Sequence, residues 1–176
     1  MRYAVFGLCV FAVACSGEVP GAPTSPSSAI SGTAATEAKG GSELPFQGRL
    51  EGAATITPLT PPFLSVSIEA TGNATHLGRF TVEIPHVVNT TNRTSTGTYE
   101  FTAANGDTLT AGFTGQATLT SPGVLSIVET ATITGGTGRF ADANGSFTVE
   151  RVFNQLTGLT TGSFEGTISS PGAATP

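Results

Sequence analysis

The chain has 176 residues, with 23 Gly, no Trp and only 11% charged side chains. That length leaves room for one modest domain once an N-terminal leader is set aside, and the absence of long Leu, Glu, Lys and Gln runs argues against a helical bundle. The net charge is −5, and removing Arg2 with the leader takes the 7 basic side chains to 6 against 12 acidic ones, or −6; this balance repels phosphate backbones and argues against nucleic acid as a partner.

Met1-Arg2-Tyr3 is a short, positively charged start. Residues 4–13 form an apolar run of ten, well short of the roughly 20 that a spanning helix needs. Ala12-Val13-Ala14 supplies the small-residue site read by a signal peptidase. Residues 1–14 are therefore expected to be an export signal. Ala12-Val13-Ala14-Cys15 resembles the lipobox of bacterial lipoproteins, with Ala12 where such boxes most often carry Leu. The resemblance implies that Cys15 is lipidated and that a membrane is a partner. Cys9 falls in the removed segment, so Cys15 would be the only mature cysteine, and a disulfide within the chain is excluded. The alternative is plain secretion, which would leave a free thiol at the new N-terminus. Ser16 after the Cys resembles the pattern that permits transfer to an outer membrane.

Residues 15–44 are rich in Ala, Gly, Ser, Thr and Pro and carry no aromatic side chain. Such a segment cannot bury enough apolar surface to offset its ordering entropy, and it is expected to be a disordered linker. Residues 45–170 are expected to form the folded domain and 171–176 a tail.

From Pro45 the residues alternate with period two, and Gly, Pro or Asn clusters interrupt them at short intervals. Eight strands are predicted, over residues 46–57, 63–75, 79–89, 97–103, 107–120, 124–134, 146–155 and 159–169. The third has the cleanest alternation, with Phe80, Val82, Ile84, His86 and Val88 in one phase. Residues 89–96 read as a polar loop. Asn105-Gly106 is the strongest hairpin signal, because both residues tolerate positive φ. Eight antiparallel strands joined by hairpins can close into a barrel and so remove exposed edges. The predicted fold class is an all-β, eight-stranded antiparallel β-barrel. Phe80-Thr81-Val82-Glu83 recurs as Phe147-Thr148-Val149-Glu150, and Gly78-Arg79-Phe80 as Gly138-Arg139-Phe140, but the offsets of 67 and 60 differ. This is similar strand chemistry rather than a repeat.

The stretch Ile133-Thr134-Gly135-Gly136-Thr137-Gly138-Arg139-Phe140-Ala141-Asp142-Ala143-Asn144-Gly145-Ser146-Phe147 breaks the alternation. It reads as a strand end, a glycine-rich corner, a short helical turn and a tight turn into the next strand. Gly135, Gly136 and Gly138 are expected to relieve backbone crowding. Phe140 is expected to plug one end of the barrel, with Arg139 capping the turn or reaching solvent.

This corner resembles the Gly-Gly-Thr-Gly-(basic)-Phe corner of the allene oxide cyclase and dirigent-like barrels. Gly166-Thr167-Ile168 resembles the closing strand of that superfamily, and Ala74-Thr75-His76-Leu77-Gly78-Arg79-Phe80 resembles a segment of its bacterial relatives. The resemblance implies an eight-stranded antiparallel barrel with an apolar cavity. It carries over no catalytic set.

No nucleophile elbow, catalytic Cys-His or Ser-His-Asp spacing, zinc-type cluster or phosphate loop is present, so no cofactor or metal is expected. Three charged or titratable residues lie in phase with apolar neighbours and so need a reason. His86 follows the phase of Phe80, Val82 and Ile84. Glu129 follows Leu125, Ile127, Ala131 and Ile133. Arg151 follows Phe147, Val149 and Phe153. On a shared cavity, Glu129 and Arg151 would pair and His86 would serve as acid or base. The preferred reading is plainer: strand-end or rim positions, with a bulge at Glu150-Arg151 reversing the phase. His76 and Arg79 flank a turn, as a polar rim or simply as a hydrogen-bonded turn with a solvated Arg.

Three functions stay open. The first is an exported lipoprotein whose barrel binds a small apolar ligand or a partner surface. The second is an isomerase or cyclase acting in the cavity, which only the resemblance suggests. The third is an integral outer-membrane barrel, disfavoured because Trp is absent and Tyr99 is the only mature Tyr, which leaves no aromatic girdle.

Overall fold

The computed structural model describes residues 42–169. The leader, Cys15, most of the linker and the C-terminal tail lie outside them. Eight strands follow in chain order: β1 (Glu43–Pro58), β2 (Phe63–Ala74), β3 (Gly78–Asn89), β4 (Thr94–Ala103), β5 (Thr108–Ser121), β6 (Val124–Gly136), β7 (Gly145–Asn154) and β8 (Leu159–Ser169). Each pairs antiparallel with the next, and β8 returns to β1 from Glu43↔Ser169 to Ala53↔Leu159. The barrel is closed, so no strand leaves a row of backbone groups unpaired.

Two strand starts, those of β1 and β4, differ by three residues from the sequence reading, and the other boundaries by two or fewer. Glu43 and Leu44, assigned to the linker, belong to β1. They pair with Ser169 and Ile168, and Leu44 packs against the core. Their composition hid this, because the pairing partner is supplied by the far end of the chain. Residues 94–96, read as loop, open β4. Asn89 Oδ1 accepts from Thr91 N–H and Asn92 Oδ1 from Thr94 N–H. These side-chain turns tighten the connection and free three residues for pairing.

Alternation places one face of every strand inside. Phe46, Phe80, Phe101, Phe147 and Phe164 fill half of the interior, with ring centroids 5.0–6.4 Å apart in edge-on or tilted contacts. Such rings are bulky, and glycines across the strand make room for them. A Cβ on Gly72 would lie 2.4 Å from Phe80 Cζ, and one on Gly48 would lie 2.6 Å from Phe164 Cζ. The two glycines pair with these same residues in the sheet.

The connection from β6 to β7 closes this end. A single 3-10 turn, Gly138–Phe140, carries Phe140 inward, where it is fully buried. Leu77 and Ala143 are buried beside the same core. Gly138 has φ +55, and a Cβ there would fall 2.0 Å from Asp107 Oδ1, so the turn needs glycine on both counts. Arg139 spans the outside of the turn. Its Nε lies 3.6 Å from Asp107 Oδ2, its Nη2 donates to Leu77 O at 3.5 Å, and its guanidinium sits 4.8 Å from the Phe140 ring centre.

Candidate ligand-binding site

The opposite end of the barrel is built differently. Its connections are short, and none of their side chains is buried. The space they leave is a cavity of about 320 Å³. Ile56, Leu64, Val66, Leu125, Ile127 and Phe153 form its apolar wall, and the exposed Thr90, Arg93 and Gln155 stand at the mouth. His86, Ser95 and Arg151 are the buried polar groups that line it. A larger concavity of about 840 Å³ runs along the outer face past Arg49, Glu51, Thr71 and Arg79, and it is an open, solvent-filled groove.

The structure brings His86, Glu129 and Arg151 together inside the barrel. Their exposures are 7%, 0% and 4%. No register shift occurs along β6–β7, so Glu150 points out and Arg151 points in. The bulge that would have reversed this phase is absent from that ladder. Arg151 holds Glu129 with two bonds, Nε to Oε2 at 3.0 Å and Nη2 to Oε1 at 2.7 Å. The Tyr99 hydroxyl also donates to Glu129 Oε2. Arg151 Nη1 reaches Thr160 Oγ1 at 3.5 Å, and that hydroxyl donates to Val152 O. The carboxylate is thus fully engaged, which is the condition under which a buried ion pair is tolerated.

Each of these three side chains is seated against a glycine on the neighbouring strand. His86 pairs with Gly97, Glu129 with Gly115 and Arg151 with Gly162. A Cβ would approach His86 Cβ to 2.4 Å, Glu129 Cγ to 2.6 Å and Arg151 Cβ to 2.5 Å. The sequence reading passed over these glycines, and over Tyr99 as a partner for Glu129. The available signal was an inward-phase glycine opposite each in-phase polar residue, but it needs the strand register to be read.

Burial sets the electrostatics. His86 is held below its ordinary value of 6.5, first by desolvation and then by the nearby Arg151 charge; its bond to Ile84 O and the Glu129 charge act the other way. Burial and the adjacent Glu129 push the Tyr99 phenol well above its ordinary range, so Tyr99 acts as a hydrogen-bond donor and stays neutral. For Arg151, burial lowers the pKa, but the hydrogen bonds and attraction to Glu129 outweigh it, and the net direction is up.

His76 and Arg79 lie at the blocked end, away from the mouth, so neither forms its rim. His76 adopts φ +64, and its Nε2 lies 3.2 Å from Pro45 O in a hydrogen-bonded turn. Among the described residues, no three His, Cys, Asp or Glu side chains gather as a metal site.

These features define a closed eight-stranded antiparallel barrel, blocked at one end and hollow at the other. Its fold is that of the dirigent proteins. The pterocarpan synthase dirigent protein GePTS1 superposes with a TM-score of 0.53 at 14% identity, covering 84% of this chain and 96% of that one. The pterocarpan synthase dirigent protein PsPTS1 gives 0.53 at 10% identity, covering 73% and 96%. The likeness is one of architecture, in keeping with the allene oxide cyclase and dirigent-like resemblance read from the glycine-rich corner. No family model matches the sequence, and no curated protein matches it.

Proposed function

We propose that the protein is an exported, lipid-anchored barrel that binds a small apolar ligand at its hollow end. The observation that carries this reading is the 320 Å³ cavity with an apolar wall and a few polar groups. A barrel of eight strands can fill its interior with side chains, as the other end does, or hold one small ligand. Apolar walls with a few placed polar groups are the usual composition of a ligand pocket. Export and anchoring rest on the leader and on Ala12-Val13-Ala14-Cys15. Mass spectrometry of the exported protein tests them: an acylated Cys15 at the N-terminus supports anchoring, and an unmodified Cys15 leaves secretion.

The cavity reading is tested with naphthalene as probe, titrated into the full-length protein and followed by its fluorescence. Ala54 and Ala117 both line the cavity. The double variant Ala54→Phe/Ala117→Phe fills the space and is expected to lose at least ~10-fold in affinity, a loss of about 1.4 kcal/mol, while the barrel stays folded. Equal affinity in the folded variant would overturn the reading.

The likeness in fold to two pterocarpan synthases supports a second reading, an isomerase or cyclase working in the same cavity. Fold likeness alone is a weak warrant for chemistry. Acid–base catalysis needs a group free to take or give a proton. Glu129 and Tyr99 are committed to each other and to Arg151, and His86 is left as the single such group at the cavity. Binding therefore stands ahead of catalysis.

A further inference from the structure

Among the described residues, nothing hydrogen-bonds the second ring nitrogen of His86. Its Nδ1 lies 2.8 Å from Ile84 O. A carbonyl oxygen only accepts, so Nδ1 carries the proton and Nε2 carries a lone pair. Among the described residues, every fully buried side-chain nitrogen and oxygen has a hydrogen-bond partner. Nε2 has no such partner among them, so it is not fully buried, and the space beside His86 is the cavity. The residue itself is 93% buried, and its ring is braced edge-on to Phe113 at 5.7 Å. A buried, braced acceptor aimed into an apolar cavity is left unsatisfied unless an occupant donates to it.

We propose, building on the cavity reading above, that the ligand is an apolar molecule bearing a neutral hydroxyl, and that the hydroxyl donates to His86 Nε2. The surrounding charges select against other donors and against anions. No acidic side chain lines the cavity, so an ammonium ion there finds no counter-charge to offset its desolvation. An oxyanion would face the His86 lone pair, and the guanidinium nearby is already neutralised by Glu129 in two bonds. A neutral hydroxyl avoids both penalties. Burial favours the uncharged imidazole, which keeps the acceptor available at neutral pH. The volume of about 320 Å³ is at the lower end for small-molecule sites, which suits a compact aromatic or terpenoid-sized alcohol.

The experiment compares naphthalene, 2-naphthol and 2-methoxynaphthalene on the full-length protein at pH 7.5. The three share one apolar body, but only 2-naphthol can donate. It is expected to bind about 5- to 10-fold tighter than its methyl ether, as one hydrogen bond to an otherwise unpaired buried acceptor implies. In His86→Phe, and in His86→Leu as a second variant of different shape, the affinity of 2-naphthol relative to its methyl ether is expected to fall to about one. Equal affinity for 2-naphthol and the ether in the unaltered protein would overturn the proposal, and so would a preference that survives in either folded variant. If naphthalene itself does not bind, the cavity reading falls and takes this proposal with it; if naphthalene binds without hydroxyl preference, only the proposal falls.

Discussion

The two ends of the barrel use the same alternation and reach opposite outcomes. At the blocked end, five phenylalanines interlock and an eight-residue connection, residues 137–144, folds Phe140 over them. At the hollow end, the turn between β5 and β6 spans only residues 122–123, and that between β7 and β8 only 155–158. None of the side chains in these turns is buried. Inward positions there are held by aliphatic side chains such as Ala54, Val66, Ala117 and Leu125 and by one ring, Phe153, and these leave a cavity between them. Side-chain volume and connection length, rather than strand pattern, decide which end is a core and which is a container. The polar set Tyr99–Glu129–Arg151 lies at the junction, with Arg151 facing the cavity and Tyr99 stacked on Phe101 at 5.6 Å.

The largest effects are expected where this division is attacked directly. Phe140→Ala opens the blocked end, and its loss of buried surface plus a residual void is expected to destabilise the fold by about 3–5 kcal/mol in urea unfolding. A stability within error of the unaltered protein would show that the plug is dispensable. Arg151→Ala is expected to cost a similar ~3–5 kcal/mol, because it leaves Glu129 buried without its counter-charge. The paired change Glu129→Leu/Arg151→Met removes both charges and is expected to recover most of that loss. A double variant as unstable as the single one would mean that packing, not charge, holds the junction.

A smaller effect is expected from pH. His86 is held below its ordinary value in the folded chain, so the unfolded chain binds more protons below pH 6.5. Its contribution to stability is whole above that value and is lost as the pH falls below it toward the lowered folded value. Burial sets this direction, and the Ile84 carbonyl, Arg151 and Glu129 modulate it. The thermal midpoint is expected to drop on acidification through this window, and the drop to shrink in His86→Leu; an identical acid profile in the variant would sink the assignment. Tyr99 gives the opposite limb. Its phenol is raised, so its contribution is whole below its ordinary value and is lost as the pH rises beyond that toward the folded value.

The smallest effect is expected outside the plug. Arg139 and Asp107 are 37% and 22% exposed and 3.6 Å apart. Such a pair is worth about 0–1 kcal/mol. Arg139→Ala is expected to fall within that range, so a loss comparable to that of Phe140→Ala would mean that the cap, and not the buried ring, closes the end.

How much of this could be read in advance depends on the range of the cause. The eight strands and their connections follow from period-two alternation and from turn residues such as Asn105-Gly106, which act within a few positions. The phases of His86, Glu129 and Arg151 were equally local, and the structure sets all three inside. The start of β1 at Glu43 was not legible, since Leu44 gains its place only by pairing with Ile168. Nor was the seating of Glu129 against Gly115, or the Tyr99 bond to it, across 14 and 30 positions of sequence.

The amino-acid sequence by itself determined an all-β chain and its strand boundaries to within a few residues, and it set His86, Glu129 and Arg151 in phase with apolar neighbours without deciding their face. Alternation and turn chemistry are local, and each strand carries them whole. Only the tertiary structure decided which polar residues meet, which end of the barrel is filled, and that His86 borders an apolar cavity. Those outcomes depend on register between strands distant in sequence and on the summed volume of inward side chains, and neither is a property of any single segment.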